Sequence, residues 1–203
     1  MKGTFIKGEQ QPGRKEWSVA VVAGLVLAAG EGRRFGGPKA VALLDGERLV
    51  DRAVRLLRDG GCAPVVVVAG AAPLDVDGAT VVENPEWRSG MGSSLRVGLA
   101  SMSGVDAAVL ITVDTPWLGA EAVRRVRAAH AAGAAVAVAT YGGRRGHPVL
   151  LDQAYFAEAA TLAVGDVGAR AFLAARPELV TPVPCDGTGT PDDVDTPADL
   201  DRA

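Results

Sequence analysis

Leu27-Ala28-Ala29-Gly30-Glu31-Gly32-Arg33-Arg34-Phe35-Gly36-Gly37-Pro38-Lys39 closes a run of small apolar residues that begins at position 19. The apolar part, 21–29, reads as a buried strand, and the glycines that follow read as a loop open to close approach. Lys39 is the only lysine after residue 15, in a chain with 17 Arg and 4 Lys. Where arginine is so strongly preferred, a retained lysine marks a place for a compact ammonium. Such a charge beside free backbone N–H groups is phosphate-binding chemistry. The plainer alternative is a surface lysine after a turn.

The rest of the chain repeats the strand-then-helix alternation. Helical periodicity covers 48–59, with Leu49, Ala53, Leu56 and Leu57 on one face and Gly60-Gly61 as the stop. A second strand covers 64–69, nearly all valine, as expected when both faces are covered. Further strands are expected at 80–82, 107–113, 134–140, 146–151 and 179–183. Helices are expected at 93–101, 120–132, 153–162, 169–175 and 196–201, with Ser93 or Gly92 capping the first of these. This order predicts an α/β three-layer sandwich with a mostly parallel, Rossmann-like sheet. Ligands then lie beyond the carboxyl ends of the strands.

Composition narrows the function. At 203 residues, 48% hydrophobic and 22% charged, the chain is globular. A net charge of −3 gives no electrostatic footprint for nucleic acid. No apolar run reaches the roughly 18 residues of a membrane span. Cys62 and Cys185 form neither a disulfide framework nor a metal spacing, so both are expected to be inert and the compartment is expected to be the reducing cytoplasm. Residues 1–18 differ in composition and read as a flexible leader, either native or an added remnant, before a single domain at 19–203.

Two familiar glycine loops fail against this stretch. The P-loop needs glycine directly before lysine and a hydroxyl after it; here Pro38 and Ala40 stand there. The dinucleotide fingerprint fails because Phe35 occupies its sixth position, and no acidic residue closes the second strand. What remains, L-A-A-G-x-G-x-R-F-G-x-P-K, resembles the signature of the MobA-like nucleoside-triphosphate transferases. It is most similar to the molybdenum cofactor cytidylyltransferase (MocA-like) branch.

That resemblance implies the nucleotide-diphospho-sugar transferase type of fold, with the loop wrapped around a triphosphate. Arg34 and Lys39 are then the catalytic cations, and Leu27, Ala28, Ala29, Gly30 and Gly32 the nucleotide-binding backbone. The segment 84–95 resembles N-P-x-W-x-x-G-M-x-x-S-L of the same branch, which implies nucleotide contacts from Asn84, Gly90, Ser93 and Ser94. A helix cap after a turn is the plainer reading of those serines. Asp114, at the end of the fourth expected strand, and Asp195, in D-V-D-T-P-A-D, match the family's magnesium ligands; Asp193 is a supporting candidate. Magnesium suits such a set, because it takes few protein ligands and completes its shell from phosphate oxygens. R-G-H-P at 145–148 and G-D-V-G-A-R at 165–170 imply an acceptor-binding role for Gly146, His147, Pro148, Asp166 and Arg170.

The implied reaction is attack of a molybdopterin phosphate on the α-phosphate of CTP, releasing pyrophosphate. Cytosine rather than guanine is suggested by Ala29, since the guanylyltransferase branch usually reads L-A-G-G. Other partners allowed by the resemblance are another NTP, another small phosphorylated acceptor and a molybdoenzyme maturation protein. The chain would act as a monomer or weak homodimer. A non-catalytic cofactor carrier of the same fold is the remaining alternative. Trp87 and Trp117 are expected to pack loops, His130 to face solvent, and Arg124, Arg125 and Arg127 to form a solvated helix face.

Overall fold

A computed structural model describes residues 20–202; the expected leader at 1–18 lies outside them. The first strand, β1 (Val22–Leu27), opens directly into the glycine loop. A short 3-10 turn at Lys39–Val41 leads to a two-stranded hairpin, β2 (Leu43–Leu44) and β3 (Glu47–Arg48). Then follow α1 (Leu49–Asp59), β4 (Val65–Ala69), β5 (Thr80–Glu83), α2 (Met91–Ala100), β6 (Ala107–Thr112) and α3 (Ala120–Ala131). The second half holds β7 (Val136–Tyr141), β8 (Arg144–Asp152), α4 (Phe156–Leu162), α5 (Arg170–Ala175) and β9 (Val180–Pro184).

Seven strands form one sheet in the order β5-β4-β1-β6-β8-β7-β9. All run parallel except β8, which is antiparallel to both β6 and β7. Pleating divides the strand residues between two layers. Val22, Val26, Val67, Val109, Ile111 and Ala139 pack with α1 and α3; Leu25, Val66, Val68, Leu110, Val138 and Val149 pack with Leu95, Leu99, Phe156 and Phe172 of α2, α4 and α5. Both sheet faces are covered, which is why β4 is valine at four successive positions and buried throughout. The three-layer α/β sandwich expected from the sequence is present. No helix among the described residues is long and apolar enough to cross a membrane.

Several local expectations are corrected. The β2–β3 hairpin was not anticipated; Asp45 and Gly46 both take positive φ, 53° and 82°, the backbone that a tight two-residue hairpin turn demands. The first helix after the second motif begins at Met91 with Gly90 as its cap residue, not at Ser93 or Gly92. The helix expected at 196–201 is a 3-10 turn, Pro197–Arg202. His130 does not face solvent: its side chain is 10% exposed and Nε2 lies 3.0 Å from Asp152 Oδ2 at the end of β8. The arginines of α3 are not merely solvated. Arg124, Arg125 and Arg127 donate to the carbonyls of Asp59, Pro184 and Gly60, tying α3 to α1 and β9.

Candidate active site

Parallel strands present their carboxyl ends along one edge, and the motifs gather there. β1 delivers the glycine loop, β5 delivers Asn84 and β6 delivers Asp114. Because β8 runs backwards, its first residues, Arg144–His147, reach the same edge as the last residues of its neighbours.

The glycine loop is a tight turn. Gly36 and Gly37 both donate to the Gly32 carbonyl, at 2.9 and 3.2 Å. Gly32 has φ +62°, and a Cβ there would run into the Gly37 carbonyl oxygen. Beside Gly30 and Gly36 a Cβ would meet open space, so the loop's outer surface is bare backbone. Among the described residues no carbonyl or side chain accepts from the amides of Gly30 and Gly32. Such amides suit an anion. Leu27, Ala28 and Ala29 stand differently: Ala29 is buried, with its methyl near Gly70, and its carbonyl accepts from Ala71 N at 3.0 Å. Ala28 is buried as well, so these two alanines present backbone rather than side chain to the loop, whereas Leu27 is half-buried.

Lys39, Asp114 and Asp195 meet in one cluster. Lys39 Nζ is 2.9 Å from Asp114 Oδ2 and 3.5 Å from Asp195 Oδ1, and Arg34 Nη1 is 3.1 Å from Asp195 Oδ2. The backbone makes this meeting possible: Val194 donates to the carbonyl of Asp114 at 2.8 Å, laying the C-terminal segment along the β6 loop. Asp199 then accepts from the amides of Asp195 and Thr196 and from the Thr196 hydroxyl, which shapes the D-V-D-T-P turn. The carboxyl of Asp193 is pushed above its ordinary value, first by burial and then by the charge of Asp114. Among the described residues no cluster of three or more acidic, histidine or cysteine side chains is arranged as a metal cage. The two carboxylates that already share one ammonium fit a hard cation that draws its other ligands from phosphate and water.

Asn84, Ser93 and Ser94 face inward. All three are buried; Asn84 Nδ2 donates to Ser93 Oγ at 2.8 Å and to Ser94 Oγ at 3.0 Å. Ser93 Oγ in turn donates to the carbonyls of Glu86 and Gly90. These side chains shape the 84–93 turn and leave Gly90 and the start of α2 at the surface of the site. Gly90, with φ +107°, packs against Gly165 and Asp166, and Asp166 Oδ1 lies 3.4 Å from Met91 N. The two motifs at 84–95 and 165–170 therefore form one wall.

The remaining acceptor candidates line its neighbour. Gly146 lies where a Cβ would press on Pro191. His147 sits within β8 rather than on a loop, its Nδ1 3.4 Å from the Leu110 carbonyl; burial pushes its pKa below the ordinary value of 6.5. Pro148 is buried behind it. Arg170, at the start of α5, is exposed, has no ion-pair partner among the described residues, and its charge is felt by both His147 and Asp193.

One contributor escaped the sequence reading. Arg52 of α1 donates from Nε to the Pro116 carbonyl at 3.0 Å and lies 3.6 Å from Glu47, so it joins the hairpin after Lys39 to the loop after Asp114. Its helical position resembles any surface arginine, and only the approach of the 113–118 loop reveals it.

Comparison with known proteins places the chain by family and fold. Nicotine blue oxidoreductase of Paenarthrobacter nicotinovorans is 37% identical over 189 residues, covering 86% of this chain and 92% of that protein. A molybdenum cofactor guanylyltransferase of Rhizobium leguminosarum bv. trifolii is 32% identical over 131 residues, 63% of this chain and 61% of the relative. The solved structure of Rv0371c from Mycobacterium tuberculosis H37Rv superposes with a TM-score of 0.76 at 28% identity, covering 91% of this chain and 98% of that one. The same mycobacterial protein in complex with manganese gives a TM-score of 0.71 at 27% identity, covering 90% of this chain and 97% of that one. A 2-C-methyl-D-erythritol 4-phosphate cytidylyltransferase from Thermus thermophilus, 22% identical with a TM-score of 0.69 over 90% of this chain and 96% of its own, shares the fold. Residues 24–180 match the MobA-like NTP transferase domain, and the chain belongs to that family.

Proposed function

We propose that this protein is a magnesium-dependent nucleotidyltransferase that transfers CMP from CTP to the phosphate of a molybdopterin-type acceptor, releasing pyrophosphate. The observation that carries the reading is the cluster of Lys39 with Asp114 and Asp195 beside a glycine loop with free amides. Magnesium held by the two carboxylates would supply charge to the triphosphate oxygens. The chain's own residues do the rest. The loop amides and Lys39 hold the β- and γ-phosphates, and Arg34 meets charge developing on the leaving pyrophosphate. Arg170 and the start of β8 orient the acceptor, whose phosphate needs no general base because it is already a nucleophile. His147, kept neutral by burial, serves positioning. A cytoplasmic location belongs to this reading and is supported by Cys62 and Cys185, both free and buried.

The choice of base rests on Ala29. Because its methyl lies near Gly70, its influence on the base would come through loop spacing, not contact. The guanylyltransferases among the relatives make GTP the competitor. Pyrophosphate release measured with each nucleoside triphosphate, with and without magnesium and acceptor, decides this. CTP-dependent release supports the reading; release with GTP alone replaces the base, and none with any triphosphate removes the transferase reading.

The name of the Paenarthrobacter relative favours a second reading, an oxidoreductase acting on a pigment-like substrate. Against it stand the failed dinucleotide fingerprint and a carboxylate pair that hydride transfer does not need. Oxidation of a reduced nicotinamide in the presence of such a pigment, without any triphosphate, would establish it.

A further inference from the structure

We propose that Pro191 is a positioning residue for Asp195, and that position 146 is glycine in order to seat it. The inference rests on the nucleotidyltransferase reading of the Asp114 and Asp195 pair and extends it to the contact that holds the second carboxylate in place.

Asp195 reaches the site at the end of a strap, residues 185–195, which leaves β9 and crosses the loop after β6. Both ends of the strap are anchored. Cys185 and Thr188 are buried, and Cys185 N donates to the Thr140 carbonyl at 2.8 Å. At the other end Val194 is fully buried, and its amide donates to the Asp114 carbonyl at 2.8 Å. Between them Gly189 pairs with Leu118 in an antiparallel bridge, and Thr190 N donates to the Trp117 carbonyl at 3.1 Å. Pro191 follows, half-buried. With no amide proton to give, it holds its place by packing.

What Pro191 packs on is Gly146. β8 is irregular there: Val138 pairs with Val149 but Thr140 pairs with Arg145, so Gly146, His147 and Pro148 stand opposite one residue of β7. A bulge of this kind re-aims the strand. Gly146 does not take the positive φ that would call for glycine. Space calls for it instead. A Cβ on Gly146 would lie 2.9 Å from Pro191 Cβ and 3.3 Å from its Cγ, whereas its approach to Tyr141, 3.4 Å, would be an ordinary contact. One added methyl would therefore press first on the strap. A displaced Pro191 loads the hydrogen bond from Val194 to Asp114, and Asp195 moves with it. On this assignment the glycine of R-G-H-P serves the carboxylate pair, and contact with the acceptor falls to its neighbours.

The test exchanges which segment carries the side chain. Gly146→Ala, Pro191→Gly and the double variant are compared with the wild type on the full chain. One readout is the dissociation constant of manganese, followed by electron paramagnetic resonance. The other is amide hydrogen exchange across 187–195 with no metal added, with β4 as the control for an intact fold. Each single variant should weaken manganese binding by about 10-fold, the lower end of what losing a residue that orients a metal ligand costs. Each should also speed exchange at Thr190 and Val194. The double variant, with a methyl on β8 and none on the strap, should recover most of the affinity and the protection, as coupled neighbours do. Losses that simply add in the double variant overturn the inference. Faster exchange with unchanged manganese affinity also overturns it, because the strap then packs without a hold on Asp195. If Gly146→Ala does not fold, Pro191→Gly carries the same test from a half-exposed position. Manganese affinity unchanged in the variants overturns the inference and leaves the transferase reading standing. Absence of manganese binding to the wild type overturns it together with the metal-dependent reading.

Discussion

Lys39 Nζ lies 2.9 Å from Asp114 Oδ2, joining residues 75 positions apart across two neighbouring strands. β1 and β6 pair in parallel through Leu27 and Thr112, so the loops that leave them emerge side by side. The Lys39 side chain is only 16% exposed and that of Asp114 26%, so the pair is partly shielded from water. In the proposed reaction this ammonium would meet phosphate and this carboxylate would meet metal.

Replacing Lys39 should cost activity in a way that depends on shape as well as charge. Lys39→Ala should lower kcat for pyrophosphate release by roughly 10²-fold or more, the order seen when a charge-stabilising donor is removed. Lys39→Arg should recover little, because a planar guanidinium does not fit where a compact ammonium sits between two carboxylates. A fully active Lys39→Arg enzyme, assayed under saturating substrate, would show that the compact charge has no special role.

Asp114→Asn and Asp195→Asn keep the shape of each side chain and remove its charge. Each should reduce pyrophosphate release by roughly 10²-fold or more. Each should also raise the magnesium concentration needed for half-maximal rate. A magnesium titration unchanged in both variants removes these residues from the metal site.

Two loop glycines separate strain from collision. Gly32→Ala would place a methyl against the Gly37 carbonyl at positive φ, whereas Gly36→Ala, with φ +90°, has open space. Gly36→Ala should cost about 1–2 kcal/mol of backbone strain. Gly32→Ala should cost more and should also weaken tripolyphosphate binding, because the turn that displays the amides must open. Thermal melts and calorimetric titration of both variants test this, and equal effects at the two positions would refute the collision.

Asn84→Ala should destabilise the protein without touching the reacting groups. It strips buried Ser93 and Ser94 of a shared donor and leaves the Glu86 amide without its side-chain acceptor. An unsatisfied buried group costs about 1–3 kcal/mol. Denaturant unfolding should move to a lower midpoint with an unchanged slope; an unmoved midpoint would place this network outside the determinants of stability.

His147 predicts a pH dependence of stability. Burial lowers its pKa from 6.5, so the native state keeps it neutral at pH values where the unfolded chain takes up a proton. Stability contributed by the neutral ring is complete well above pH 6.5 and is lost as pH falls from there towards the lower native value. Melting temperatures of the wild type and His147→Gln, followed from pH 7.5 to about 5, should converge or cross as the wild type loses stability faster. Parallel curves would rule this out.

Much of the fold was legible in the chain itself. The valines of 65–68 and the periodic leucines of 49–57 report burial through local pattern, and the expected strands agree with the observed ones to within a few residues. The β2–β3 hairpin was missed, although Asp45-Gly46 signalled it, because two-residue strands leave no periodicity. The partner that buries His130 of α3, Asp152, lies at the end of β8, where no pattern local to the helix reports it. The α3 arginines were misjudged for the same reason, since their acceptors are carbonyls on α1 and β9.

The site divides the same way. A glycine loop ending in a lone lysine, two aspartates in matched surroundings and an R-G-H-P tract named the groups and the class of chemistry, because residue type and spacing are local properties. Where those groups meet was decided by the sheet. Parallel pairing of β1 with β6 put Lys39 beside Asp114, and the Val194 to Asp114 hydrogen bond brought Asp195 across from the far end of the chain. Reversal of β8 carried His147 to the same edge. The inward turn of Asn84 and the ion pairing of Lys39 with both carboxylates depend on distances between segments far apart in the chain. Local pattern cannot encode those distances; only packing the sheet between its two helical layers creates them.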